Sequence, residues 1–412
     1  MEKYLLQTYL LLNEYIKDQG LSEGHARGTA HHIGYQIREF SLAQFLMRHE
    51  LDKAGILEES LANLGWLNNI GVIFTRPKLA NMDYLNTVSK THLMICLSYK
   101  DPLKKVAMTK ALTSYLSHLV AINNNGDLGG FKSDGTTFHH GFHYPAYSYL
   151  ALRSLGVVFK LTARTPFRMT PAAYRSMNKA LYSIYIYSNK DNGPFAICGR
   201  HPLTTKFNFL KQTFLNMAIA GSADGTKNLN PKMAEIYLRL WKAPKKNSWT
   251  GRLFDRYSVK AAKPLNGFWS FNYGGFSAVR RPGWMAMIKG YNKFVDSGET
   301  YKYDNRWGRY LANGTVQIIR DNKSNLESGF DQNGWNWNKM PGATIVHFFS
   351  GDLEAPIDYL QYRSDEVMAT STSLDRNGVF GFSLNETSAL NIEHNQKYLD
   401  KNNKSVYYSS GL

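Results

Sequence analysis

The chain has 412 residues, with 49 Lys and Arg against 32 Asp and Glu and a formal net charge of +17. Its 43% hydrophobic and 14% aromatic content excludes a disordered tail and suffices for two cores, or for one large helical core joined to a sheet domain. The charge calls for an anionic partner, but the basic residues are scattered among Tyr, Trp and Asn, which argues against a nucleic-acid arm.

The N-terminal 20 residues contain Glu2, Lys3, Glu14, Lys17 and Asp18 among apolar positions at helical spacing, so they read as an amphipathic helix and not as a signal peptide. No later run has the length and apolarity of a membrane span. Further helical patterns are expected at 31–54, 58–71, 82–98, 145–162, 171–188, 205–219 and 231–241. Another opens at Asp101-Pro102, an N-cap followed by proline in the first turn, with Met108, Leu112, Tyr115, Leu116 and Leu119 on one face. Many helices joined by short loops predict an α/α toroid or a helical array over residues 1–245.

From residue 246 the texture turns to Gly, Asn and Trp with alternating stretches at 315–319, 344–349 and 380–384, the pattern of an antiparallel sheet domain over 246–412. The boundary is expected within 243–264. The chain begins inside a helical pattern and ends just after a strand-like one, as a piece of a longer protein would.

Cys96 and Cys198 lie in apolar or small-residue stretches. His201 follows Cys198 by three positions without a second ligand pair, so neither a disulfide framework nor a zinc cluster is expected. Asp and Asn residues at 322–338 could bind Ca²⁺ but match no calcium-loop spacing. No metal or required cofactor is therefore assigned.

Three islands concentrate chemistry. In the first, 132–147, a loop carrying His139 and His140 runs through Pro145 into a helix whose N-terminus holds Tyr147; the helix dipole there favours a negative phenolate. Tyr147 also shares a face with Leu150, Ala151 and Leu155, so a core role stays open. The second island, 193–202, surrounds Arg200 with small residues; such a side chain either forks onto an acidic oxygen or is a solvated surface charge. The third, 297–310, mixes Glu299, Asp304, Asn305 and Arg306 with aromatic residues, and could equally be a surface turn. Trp269, Trp307 and Trp337 either stack on sugars or fill the sheet core. Asn68 and Asn69, after Trp66, either bond a uronate or end a helix.

The seven-residue spacing of His140 and Tyr147, Gly-Arg-His-Pro at 199–202, and Glu299 ahead of Asp304-Asn305-Arg306 resemble the chondroitin ABC lyases of polysaccharide lyase family 8. His31-His32-Ile33-Gly34-Tyr35, Gly267-Phe268-Trp269, Trp335-Asn336-Trp337-Asn338 and Gly342-Ala343-Thr344 extend the resemblance over most of the chain. It implies an α+β architecture, an α/α toroid followed by an antiparallel β-sandwich that is incomplete here. The family's N-terminal signal and carbohydrate-binding-like domain and its further C-terminal sheet domain have no counterpart in this sequence. The resemblance also implies a periplasmic or secreted monomer acting on an acidic glycosaminoglycan, with no nucleic acid or membrane as partner.

Under this resemblance Tyr147 is the acid, and the base for glucuronate. His140 is the base for iduronate, Arg200 binds the bridging oxygen and lowers the Tyr147 pKa, and Glu299 orients His140 or Arg200. His139 would touch substrate. Two rivals remain open: a glycoside hydrolase using Asp134 and Glu299 as its carboxylate pair, and a non-catalytic glycosaminoglycan-binding fragment.

Overall fold

The computed structural model describes residues 2–18, 30–189, 191–203, 207–321, 323–345, 347, 353–354, 361 and 363–384. Eleven α-helices among them precede the main sheet: α1 (Glu2–Asp18), α2 (Ala30–Lys53), α3 (Leu57–Leu67), α4 (Met82–Thr87), α5 (Ser89–Ser98), α6 (Pro102–Ala121), α7 (Pro145–Thr162), α8 (Pro171–Tyr187), α9 (Lys211–Ile219), α10 (Pro231–Leu240) and α11 (Trp249–Arg256). Their starts are written locally. Asp101 accepts from Leu103 N ahead of Pro102, Thr170 from Ala173 N ahead of Pro171, and Asn230 from Met233 N ahead of Pro231. In each case a side-chain oxygen satisfies an amide that the first turn leaves open, and proline occupies a position that needs no donor.

One local expectation differs from the structure: the pattern at 82–98 is two helices, α4 and α5, divided at Val88. The short helix α11, capped by Ser248 accepting from Gly251 N, falls within the stretch 243–264.

Between α6 and α7 the chain makes a small antiparallel sheet of β1 (Gly130–Phe131), β2 (Thr137–His139) and β3 (Phe142–His143). Strands of two and three residues are too short to show an alternating pattern. Beyond α11, β4 (Gly267–Phe271), β5 (Phe276–Arg281), β6 (Trp284–Lys289) and β7 (Thr315–Arg320) pair in sequence order as an antiparallel meander. The register sets Ala278 against Met287, and Met287 against Gln317. A ribbon of β8 (Ala369–Leu374) and β9 (Asn377–Phe382) packs on β4. Of the expected strand at 344–349, residues 344 and 345 are not in a strand, and 346 and 348–349 lie outside the described residues.

Helices and meander share one core. A single apolar cluster takes Leu112 of α6, Leu152 and Phe159 of α7, Leu181 of α8 and Phe214 of α9 together with Phe271, Phe276, Met285 and Ile319 of the sheet. Helix α7 is central, burying Tyr149, Leu152, Leu155, Val158 and Phe159 along its length. Its first turn, with Tyr147, is thereby fixed where the helical and sheet parts meet. Cys96 and Cys198 are both free and buried. No helix among the described residues is long and apolar enough to cross a membrane.

Candidate active site

The site begins with a tight turn. Strands β2 and β3 pair His139 with Phe142, so the hairpin turns on His140 and Gly141 alone. Both have left-handed backbones, φ 51° and 84°, as a two-residue hairpin with the strands' right-handed twist demands. Glycine adopts this freely, whereas for His140 it is an uncommon and costly conformation.

The turn presents His140 to Glu299, whose side chain is fully buried. His140 Nδ1 lies 2.9 Å from Glu299 Oε1, while Arg200 Nε and the Tyr144 hydroxyl each donate to Glu299 Oε2 at 2.7 Å. The Tyr144 oxygen in turn accepts from the Arg200 amide at 3.1 Å and from Arg200 Nε at 3.0 Å. Arg200 Nη2 is also 3.2 Å from His140 Nδ1. That nitrogen cannot accept from Arg200 and donate to Glu299 at once. The buried carboxylate is the stronger partner, so we assign the proton to Nδ1, which leaves Nε2 as the basic nitrogen.

Electrostatics follow from this closure. Burial alone would raise the Glu299 pKa, but the His140 and Arg200 contacts outweigh it and hold the carboxyl below its ordinary value. Tyr144 is pushed far up, first by burial and then by the Glu299 charge, so it remains a phenol. Arg200 is raised despite its burial by Tyr144 and Glu299, and stays cationic.

Tyr147 sits on the open side of this group. Its ring centroid lies 5.4 Å from that of His140, 4.4 Å from His139 and 4.8 Å from Tyr144, and Arg200 Cζ is 5.6 Å from it. The half-buried ring thus belongs to both the core and the polar cluster. Tyr144 stands at the N-cap of α7 without a side-chain capping bond, and its hydroxyl donates to Glu299 instead.

The expected residues divide sharply. His140, Tyr147, Arg200 and Glu299 come together, and His139 joins them from beneath, 8% exposed and stacked on His140 at 4.1 Å. His139 Nε2 is 3.6 Å from Asp83 Oδ2, and the Tyr35 hydroxyl donates to the other oxygen of Asp83 at 2.7 Å. Burial lowers the His139 pKa even beside that carboxylate.

Three assignments are corrected. Asn68 is wholly buried as the C-cap of α3, its side-chain amide donating to Leu64 O and its backbone carbonyl meeting His92 Nε2, so burial keeps its side chain from a uronate at the surface. Trp337 is 4% exposed, and its indole donates to Gln332 O inside the core. Trp269, by contrast, is only half-buried, its ring lying over Gly267 and against the same core. Asp134 is a turn residue that accepts from Thr136 N, Thr136 Oγ1 and Tyr273 N, and both Glu299 oxygens are already bonded, so the pair cannot serve as a hydrolase's two free carboxylates.

Asn69 is exposed at the start of the 3₁₀ turn after α3, with a left-handed backbone. Trp307 is half-buried on the loop that holds Asn305, whose amide donates to Glu299 O and Gly199 O. Among the described residues no group of three or more His, Cys, Asp or Glu is placed to hold a metal ion.

Sequence reasoning passed over Tyr144, Asp83, Tyr35 and Gln361. Tyr144 was within reach, lying in the same aromatic run as Tyr147 and opening the same helix. Gln361, whose amide is 3.0 Å from His140 O and 3.3 Å from Glu299 Oε1, had no signal in a sequence where 221 positions separate it from His140.

Residues 1–247 match the family "Lyase, catalytic", and the chain belongs to that family. It is 30% identical over 430 residues to the chondroitin sulfate ABC exolyase of Proteus vulgaris, covering all of this chain and 42% of the relative. To the chondroitin sulfate ABC endolyase of the same organism it is 31% identical over 387 residues, covering 92% of this chain and 37% of the relative. The chain therefore spans about two fifths of the length of these relatives. Its fold is like that of a Paenibacillus xanthan lyase, with a TM-score of 0.63 over 84% of this chain and 33% of that one at 15% identity.

Proposed function

We propose that this chain carries the catalytic site of a polysaccharide lyase that cleaves chondroitin and dermatan sulfate by β-elimination. The observation that carries the reading is the joining of His140 and Arg200 through one buried carboxylate, Glu299, beside a half-buried Tyr147 at a helix N-terminus. The relatives' names supply the substrate class.

The chemistry makes three demands. The uronate carboxylate must be neutralised, a base must take the weakly acidic C5 proton, and an acid must protonate the bridging oxygen as the C4–O bond breaks and a C4–C5 double bond forms. For glucuronate, Tyr147 as phenolate takes the C5 proton and returns it to the leaving oxygen. For iduronate the proton lies on the other face; His140 Nε2 takes it while the Tyr147 phenol protonates the oxygen. A free tyrosine has a pKa of about 10, so the phenolate role rests on Arg200 and the end of α7. Glu299 keeps Arg200 and His140 in place, and His139 backs both rings.

With this activity goes a finer architecture, an α/α toroid followed by an antiparallel β-sandwich with the polymer between them. Supporting it are the succession of short-looped helices and the four-stranded meander with its added ribbon. A periplasmic or secreted monomer that needs no cofactor completes the reading. Incubation with chondroitin and dermatan sulfate while following ultraviolet absorbance tests it, since elimination creates an unsaturated uronate and hydrolysis does not. Polymer binding without that chromophore would make the chain a glycosaminoglycan-binding protein and overturn the reading.

A further inference from the structure

Gln361 and Arg363, far along the chain, are joined to the hairpin that carries His140. Gln361 Nε2 donates to the His140 carbonyl and to Glu299 Oε1. Two positions later Arg363 forks onto Asp296, with Nε to Oδ1 at 2.6 Å and Nη2 to Oδ2 at 3.0 Å, and its Nη1 donates to Asp127 at 2.9 Å. Asp296 meets the hairpin directly, its amide donating to Gly141 O at 3.2 Å. A Cβ on Gly141 would overlap Asp296 Oδ2, so hairpin and carboxylate are in close contact.

Both ends of this connection are anchored. Asp127 lies in a loop tied down by Lys132 Nζ, which donates to the carbonyls of Asn124, Gly126 and Leu128. Downstream, Glu366 O accepts from Lys293 N, and Ser383 N donates to Met368 O. Arg363 thus links a loop of the helical part to the sheet part across the back of the His140 turn. The linkage has a specific mechanical task, because His140 holds an unfavourable left-handed backbone that its surroundings must enforce.

We infer that Gln361 and Arg363 are positioning residues that hold the His140 hairpin in its reactive orientation, and that they thereby govern use of iduronate more than of glucuronate. The inference rests on the proposed division of labour between His140 and Tyr147. Tyr147 is carried by α7, a helix packed into the core. His140 is carried by a two-residue turn whose main chain, among the described residues, is hydrogen-bonded from outside its own sheet by Gln361 and Asp296. Loosening the strap should misplace the base for one epimer and leave the other base where it is.

The test uses Gln361→Leu and Arg363→Lys in the full chain, with dermatan sulfate and chondroitin sulfate as substrates. Both variants should lose about tenfold or more in kcat on dermatan sulfate and less than about threefold on chondroitin sulfate, with KM little changed, as expected when an interaction serves only the transition state. Hydrogen exchange across 137–144 should speed up in both. Equal losses on the two substrates, or unchanged exchange, would overturn the inference. A wild-type chain that makes no unsaturated product from either polymer fails the lyase reading instead, and the exchange measurement then decides the strap by itself. If one variant does not fold, as judged by circular dichroism, the other decides.

Discussion

His140 Nδ1 and Glu299 Oε1 lie 2.9 Å apart although 159 positions separate the two residues in the chain. The imidazole comes from a turn among the helices and the carboxylate from a loop following the sheet's third strand. This contact turns two unremarkable polar side chains into a base with a defined tautomer.

Tyr147→Phe removes the hydroxyl that takes and gives the proton but keeps the ring that packs against His139 and Tyr144. Unsaturated product should fall by roughly a thousandfold on both polymers, within the range of a lost acid–base group. Polymer affinity, read by isothermal calorimetry, should stay nearly unchanged. Retained turnover would sink the mechanism.

Arg200→Lys keeps the charge but loses the fork. The Nε that serves Glu299 and the Tyr144 hydroxyl has no counterpart on a lysine. Turnover should fall about a hundredfold, the scale of one preorganised donor. A lysine variant within twofold of wild type would show that charge alone suffices.

Gly141→Ala meets two obstacles, a backbone φ of 84° and the Asp296 carboxylate where its Cβ would lie. A loss of about 1–3 kcal/mol in stability is expected from the strained backbone alone. Chemical denaturation measures it, and an unchanged midpoint would contradict the observed turn.

Stability should fall on acidification from about pH 6.5. Burial lowers the pKa of His92 to about 4 and that of His143 to about 3. The native state therefore keeps both neutral while the unfolded chain protonates them near 6.5. Stability contributed by neutral burial is complete above 6.5 and lost as pH falls toward 4, at about 1.4 kcal/mol per pH unit for each histidine. Thermal melts between pH 7.5 and 4.5 read this slope. His143→Gln, which removes the titrating ring that now meets Thr137 and the Tyr187 hydroxyl, should reduce it.

Much of the local order was present in the sequence alone, because it depends on neighbours. Asp101-Pro102, Thr170-Pro171 and Asn230-Pro231 start helices by chemistry contained within four residues. Gly, Asn and Trp after residue 246 marked the sheet part for the same local reason. His140 and Tyr147 stand in one run, and their spacing could be matched to a motif.

Only the folded chain could decide which polar residues face substrate and which face core. Asn68 and Trp337 look like binding residues in one dimension, but burial depends on what packs over a side chain, and that comes from distant segments. The same limit hid Gln361 and Arg363, which act through contacts 221 and 236 positions away and leave no periodic trace. The charge of +17 named an anionic partner. The closure of Glu299 on His140, Arg200 and Tyr144 required the tertiary structure, since a buried carboxylate is held only where several distant donors converge to offset its desolvation.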